Sequence, residues 1–504
     1  MISLKSILSG LLILFFAACD KPVIIRALPF PTPAQHDLLV LTTKGPLTYM
    51  IDDSGKPGGL EHDLIEAFAL ELGVGVKYTV VPPAEIEPRM AAGEAHIATA
   101  WLNTPEGINQ KATPPILQSH DILVQHEASL PISENDELQG KTIHALTGSR
   151  QLASLQALQK TIPGLQVVEV SEGDIFNLLE SVGSQKIELA AMDSTLIDIA
   201  TQFVPSLQTT LYLSENEPVV WWLGKKPNVE LTARVSDFVE KAQRDGTLAR
   251  IEERYFGHVR RLKQADISKF LGRTETMLPK LRKHFHTAQA LSGLDWRLIA
   301  AVAYHESQWE PEATSPTGVR GIMMLTEETA DHLGVSNRLD PRESIIAGAR
   351  YLNTLKDLQG NHVQEPDRTW LALASYNIGP GHFNAARTLA KQLKADPTAW
   401  YEMKRILPLL AQPKYYERLK SGRARGGEAV ILVENIRSYF DILVRHEPPY
   451  QPLHAGMEGV VGKPSGNPGL KLKAARINSS PSQKPESSTV TLIPPSLGED
   501  EIAD

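Results

Sequence analysis

The chain has 504 residues, 42% of them hydrophobic, enough for two or three folded domains. A formal net charge of −8 and a pI near 6.0 exclude the basic balance of a general nucleic-acid binder. The one cysteine, Cys19, excludes an intramolecular disulfide and a cysteine-based metal cluster.

Residues 1–18 have the layout of an export signal. Lys5 supplies a positive n-region, and Ile7 to Phe16 form an apolar stretch too short for an ordinary membrane-spanning helix. Phe16-Ala17-Ala18-Cys19 resembles a bacterial lipobox, with Phe in place of the usual Leu. That resemblance implies cleavage before Cys19, lipid on its thiol, and residues 19–36 as a tether to a membrane. A plain signal peptide cleaved nearby is the other reading, and either one exports the chain to the periplasm. Asp20 after a lipidated cysteine favours retention at the inner membrane in enteric bacteria.

From residue 37, short apolar strands alternate with amphipathic helices. Strands are predicted at 38–41, 74–81 and 96–101, with a helix at 63–72 that Asp63 suits as N-cap. This alternation predicts an α/β region with a largely parallel sheet. A second lobe is predicted from Leu138, and a helix over 230–255 returns to the first lobe. Residues 37–257 resemble the solute-binding proteins of amino-acid uptake systems. The resemblance is carried by Pro46-Leu47-Thr48-Tyr49, Gly58-Gly59-Leu60-Glu61-His62-Asp63-Leu64, Leu138-x-Gly140-Lys141, Gly148-Ser149 and Met192-Asp193. It implies a two-lobed periplasmic-binding-protein-like domain with its ligand between the lobes. Tyr49 would stack on that ligand, the helix start at Ser149 would take a carboxylate, and Asp193 an amine; exposed N–H groups at a helix start bind anions. Where that family carries a carboxylate-binding arginine, this chain has Gly107, so a free amino acid loses its bidentate partner. The implied ligand is a larger cell-wall peptide, or there is none.

Residues 258–266, with Arg260, Arg261 and Lys263, read as a solvated basic hinge; contact with peptidoglycan phosphate or a membrane is the second reading. Residues 267–446 are helical in pattern, with helices predicted at 344–358, 369–375, 383–393 and 430–443. Ile431, Val433, Ile436, Tyr439 and Phe440 read as core. Residues 447–504 are rich in Pro, Ser and Gly, lack aromatics after Tyr450, and cannot bury a core, so they are predicted to be disordered.

Within the helical region, Asp295 is a good N-cap, and Leu298, Ile299, Val302 and Ala303 repeat at helical spacing. Glu306 lies four residues after Val302 and seven after Ile299, so it shares their apolar face. Desolvation there favours the neutral carboxyl, and an acid that keeps its proton near neutral pH can protonate a leaving group. The plainer reading is a boundary glutamate turned to water. The helix should stop near Trp309, because Pro311 disfavours helical geometry at Glu310. A turn-rich loop, Ser315-Pro316-Thr317-Gly318-Val319-Arg320-Gly321, then leads into Ile322-Met323-Met324-Leu325, and Ala374-Ser375-Tyr376-Asn377-Ile378-Gly379 closes a later apolar run.

Glu306-Ser307, Ser315, Gly318-x-x-Gly321-Ile-Met and Tyr376-Asn377-x-Gly379 together resemble the lytic transglycosylase module of the soluble-lytic-transglycosylase type. The resemblance spans about residues 270–446 and implies a mostly α, goose-type-lysozyme-like fold. That family often has Gln where Met324 stands; Met there fits its two-domain branch, membrane-bound lytic murein transglycosylase F, usually placed at the outer membrane. The implied reaction uses one carboxyl rather than the usual glycosidase pair. Glu306 protonates the oxygen between N-acetylmuramic acid and N-acetylglucosamine, then takes the proton of the muramic 6-hydroxyl as it closes onto C1. No cofactor or metal is implied, and the partner is the peptidoglycan glycan strand. Ser315 would bond near the N-acetyl group or brace its own turn. Tyr376 would place a phenol near Glu306 or C1, or simply fill core. Met324 and Asn377 complete the implied substrate contacts, Asn377 and Gly379 mainly by shaping the loop. His305 is on another face and is given no role. A hydrolytic muramidase of the same fold, and a binding-only periplasmic receptor, are the alternatives.

Overall fold

The apolar run at residues 38–41 forms the strand Leu38–Thr42, which pairs in parallel with Val76–Val80 on one side and Ile97–Leu102 on the other. A strand enclosed in this way reads as a continuous hydrophobic run. The computed structural model describes residues 28–451 except 34, 106–109, 172, 225 and 317. The expected signal peptide, Cys19, Asp20, Gly107 and residues 452–504 lie outside the described residues.

The first sheet runs Val76–Val80, Leu38–Thr42, Ile97–Leu102, Glu217–Trp222, Leu117–Ser119. The second runs Leu207–Tyr212, Asp121–His126, Leu189–Asp193, Thr142–Leu146, Gln166–Val170. Each is mixed rather than largely parallel. Glu217–Trp222 pairs antiparallel with both neighbours, and so does Asp121–His126. The cause is connectivity: the chain passes between lobes twice in extended form, at 119–121 and 212–217, without the crossover helix a parallel pair needs. The second lobe therefore begins at Asp121, ahead of Leu138.

The returning helix is two, Val229–Asp245 and Thr247–Phe256, separated by Gly246 at φ 85°. Leu231, Val235 and Phe238 join the core that holds Leu38, Leu64 and Phe68. Asp63 is not an N-cap. Its helix is Leu60–Leu72, capped by Gly59, and starts early enough to place Asp63 in the first turn. There its carboxylate accepts from Arg254 Nη1 at 2.8 Å and Tyr255 Oη at 2.9 Å.

The basic segment 258–266 is packed only at its start, while Arg260, Arg261 and Lys263 are exposed, as the solvated reading expects. His258 and Val259 are buried; His258 Nε2 meets Asp441 at 2.6 Å, and Gln202 Nε2 donates to Val259 O at 2.7 Å. The helical module follows as Gln264–Thr276, Leu278–Ser292, Trp296–Ser307, Pro341–Asp357, Asp367–Gln392, Trp400–Ile406 and Gly426–His446, with shorter turns between them. Trp296–Ser307 is buried on nearly every side and is the central helix of this core. The helices expected at 369–375 and 383–393 form one run, broken by non-helical backbone at Gly379. Ile431 is 43% exposed, not core. The buried stripe of its helix is Ala429, Leu432, Val433, Ile436, Tyr439 and Leu443, and Ile431 falls off that spacing. The start of the predicted disordered tail is also packed: Tyr450 stacks on His286 at 3.9 Å, and its carbonyl accepts from Gln289. Among the described residues no helix is long and apolar enough to cross a membrane.

The two folded parts meet along a charged seam. Arg437 reaches Glu253 at 2.8 Å, Lys404 reaches the same oxygen at 2.8 Å, and Arg445 reaches Glu180 at 2.8 Å. Arg297 at the start of the central helix meets Asp53 at 2.6 Å.

Candidate active site

Asp295 caps the central helix by accepting from Arg297 N at 2.8 Å. The helix ends at Ser307, two residues before the expected stop, because Gln308 and Trp309 take left-handed φ values of 53° and 65°. Trp309 is thereby turned inward, where its Nε1 donates to Ala300 O at 2.8 Å. Glu306 is 6% exposed, and among the described residues no hydrogen bond or ion pair holds its carboxyl. Burial alone pushes its pKa up to about 8. The boundary reading, a glutamate turned to water, does not describe this side chain. His305 is held neutral by burial, its pKa pushed down to about 4.

The loop after the helix is pinned from two sides. Ser307 Oγ donates to Ile322 O at 2.9 Å, and Tyr376 Oη donates to Met323 O at 3.0 Å. Arg320 and Leu325 exchange backbone hydrogen bonds at 3.0 and 3.2 Å, closing a tight turn with Met324 at φ 46°. Gly321 is required within it. At φ 81°, a Cβ there would lie 1.8 Å from Arg338 O. The helix Pro341–Asp357 lies flat on this loop, since a Cβ on Gly348 would come within 2.6 Å of Met323 Cε.

Tyr376 is buried, and its hydroxyl pKa is raised well above the ordinary value by burial and then by the charge of Glu306. The two side chains therefore share one electrostatic neighbourhood. Ser315 is buried; its hydroxyl accepts from Val319 N at 3.2 Å, the turn-bracing geometry. Met324 and Asn377 are buried beside these elements. Sequence reasoning missed Tyr351, whose ring centroid is 5.5 Å from that of Tyr376. Its signal was the stripe Ala347–Tyr351–Leu355 at helical spacing, next to the Tyr376 run only in space.

Residues 38–258 match the Bacterial extracellular solute-binding proteins, family 3, and residues 283–398 match the Transglycosylase SLT domain. The membrane-bound lytic murein transglycosylase F of Methylobacillus flagellatus is 40% identical over 454 residues, covering 89% of this chain and 96% of the relative. That of Thiobacillus denitrificans is 41% identical over 450 residues, covering 88% and 94%. This chain belongs to the membrane-bound lytic murein transglycosylase F family. Among solved structures, an ancestral arginine-binding protein bound to arginine aligns with 44% of this chain and 98% of its own at 21% identity and a TM-score of 0.40.

In this transglycosylase F chain the expected ligand residues of the binding domain are already engaged. Asp193 accepts from Trp101 Nε1 at 2.8 Å, Ser119 Oγ at 2.6 Å, Thr195 N at 2.8 Å and Arg150 Nη2 at 2.7 Å. Arg150 also donates to Asp121 at 2.8 Å and to Asn103 at 2.9 Å, so the chain's own guanidinium stands where an amine was expected. Ser149 caps its helix through Leu152 N at 3.2 Å. Tyr49 packs against His62 and Tyr78, ring centroids 5.5 and 5.1 Å away.

Proposed function

We propose that Glu306 is both acid and base in the ring-closing cleavage of peptidoglycan glycan strands. The chain is a peptidoglycan lytic transglycosylase, a lyase of cell-wall turnover. The observation that carries the assignment is a lone carboxyl, buried and unpaired among the described residues, with its pKa near 8 and Tyr376 beside it. The neutral acid gives its proton to the glycosidic oxygen as the C1–O bond breaks and positive charge grows at C1. The carboxylate left behind then removes the proton of the muramic 6-hydroxyl, whose oxygen bonds to C1. No water is consumed, and the carboxyl regains its proton. Tyr376 holds the loop at Met323 in place, Ser315 braces the turn before it, and Met324 and Asn377 shape the sugar-binding wall. Mass analysis of digested sacculi tests the reaction: anhydro ends are one water lighter than muramidase products. Hydrated ends would favour the hydrolytic reading, and bound but uncut sacculi the receptor.

The N-terminal domain is proposed to be regulatory, sensing cell-wall peptides between its lobes. A peptide with both a carboxylate and an ammonium group can replace both ends of the internal Arg150–Asp193 pair at once. Titration calorimetry with a murein tetrapeptide should give saturable heat that Asp193→Asn removes; heat of equal size in the variant rejects this site. The protein is periplasmic and membrane-associated. Anchoring is proposed through lipid on Cys19, at the outer membrane as the family suggests. Radiolabelled palmitate should be incorporated into the wild type but not into Cys19→Ala, and label in both would exclude the anchor. Fractionation that puts the label in inner membranes would instead follow the Asp20 signal.

A further inference from the structure

Among the described residues no hydrogen bond holds the Glu306 carboxyl, so the backbone that carries it sets its aim. That backbone leaves the helix two residues later. Gln308 and Trp309 hold φ values of 53° and 65°, where an L side chain crowds its own backbone; such residues persist only where their surroundings fix them. The hold comes from the helix Gln264–Thr276, which lies between the two family-matched regions, 38–258 and 283–398. Arg273, in its last turn, donates through Nη1 to the carbonyl of Gln308 and to Glu310 Oε1 at 2.8 Å. One turn earlier, the buried Phe270 meets the rings of Tyr304 and Trp309, centroids 4.5 and 5.5 Å away. Positions 270 and 273 share a helix face, so one face grips the chain on both sides of Glu306. The Phe270 contact is ordinary core packing. Arg273 is different: its side chain is 25% exposed, and it reaches a carbonyl that has no intrahelical partner at the helix end.

We propose that Arg273 is a positioning residue for the transglycosylase reaction: by holding the carbonyl of Gln308 it fixes the left-handed turn, and with it the direction in which Glu306 presents its carboxyl. The inference rests on Glu306 being the acid. Arg273 touches no sugar in this role, so its loss should slow bond cleavage and leave substrate binding alone. Misplacing a reacting group by about 1 Å can cost about 100-fold in rate.

The test measures kcat, its pH profile and KM on solubilised glycan strands for wild type, Arg273→Ala and the double variant Arg273→Ala/Gln308→Gly. Arg273→Ala should lose roughly 10- to 100-fold in kcat with KM unchanged and the melting temperature close to wild type. Its alkaline fall in rate should begin at lower pH, because a loosened helix end admits water to a carboxyl that burial alone raises. Glycine adopts positive φ without strain, so Gln308→Gly makes the turn unaided and should restore most of the lost kcat. A wild-type kcat in Arg273→Ala, a loss confined to KM, or a kcat loss that Gln308→Gly does not repair overturns the proposal. An inactive Glu306→Gln beside a fully active Arg273→Ala rejects the positioning role alone. Activity retained in Glu306→Gln sinks the acid assignment, and this role with it.

Discussion

Glu306→Gln should cut release of anhydro ends from purified sacculi by roughly 1,000-fold or more, since a positioned general acid and base contributes about 10²–10⁴-fold in each role. Glutamine keeps the volume and polarity of the buried site but has no proton to give. In the wild type, the rate should hold through neutrality and fall as pH rises past about 8, where the acid ionises. The same residue makes an unusual demand on stability. Folding favours its neutral form. Below the ordinary value of 4.5 both folded and unfolded chains keep the proton, and nothing is lost. Between 4.5 and about 8 the unfolded chain ionises first, so stability falls across that window and levels off above it. At about 1.4 kcal/mol per pH unit the loss is on the order of 5 kcal/mol. Glu306→Gln should therefore melt higher than wild type at pH 8, with the gap closing by pH 4. An inactive variant that melts lower than wild type at pH 8 would show that the carboxylate is paired after all, and the acid assignment would fall with it.

Glu306 could be found in the sequence because its evidence is local. Four apolar positions at helical spacing and a capping Asp295 locate the helix, and the period alone turns Glu306 inward. The braces around it were not readable in that way. Ser307 and Tyr376 hold the loop through the carbonyls of Ile322 and Met323, and a backbone carbonyl leaves no mark on residue type. Ser315 reads as both sugar contact and turn brace, and only the bond from Val319 N shows the second. The binding domain repeats the point. Its strands were visible as apolar runs, but the mixed pairing depends on two passages between lobes that carry no pattern of their own. Asp193 was expected to receive a ligand's amine; its partner in the structure is Arg150, 43 residues away in the chain and set by the closure of two lobes. Asp63 and His258, the first residue of the basic segment, were misread for one reason: each has its partners in a distant helix, which propensity rules do not see.

The seam between the two parts should depend most on Arg437. Its side chain is 2% exposed, sits in the helical module, and reaches across to the binding domain. The guanidinium pairs with Glu253 at 2.8 Å and Glu434 at 3.0 Å, donates to the carbonyls of Glu253 and Arg254, and lies 5.5 Å from the ring centre of Trp370. Arg437→Ala would leave Glu434, 1% exposed, with Trp400 Nε1 at 2.8 Å and only a distant Lys404 at 3.6 Å. Breaking a buried pair from one side costs about 3–5 kcal/mol, more than removing both charges together. In calorimetry the Ala variant should therefore lose the coupling of the two parts, with the helical module melting apart from the α/β domain. Lys404→Ala, which removes a more exposed charge from the same Glu253, should cost only about 1 kcal/mol. Pairing Arg437→Leu with Glu434→Gln should recover part of the loss, because no buried charge is then stranded. Burial pushes the Glu253 carboxyl up, but Arg437 and Lys404 outweigh it and hold its pKa below the ordinary value. That sign makes the contact stabilising above pH 4.5 and weaker as pH falls through the folded value, so acid should separate the two transitions in wild type as well. If Arg437→Ala still melts with the wild-type profile at neutral pH, this charged seam is not what joins the α/β domain to the helical module.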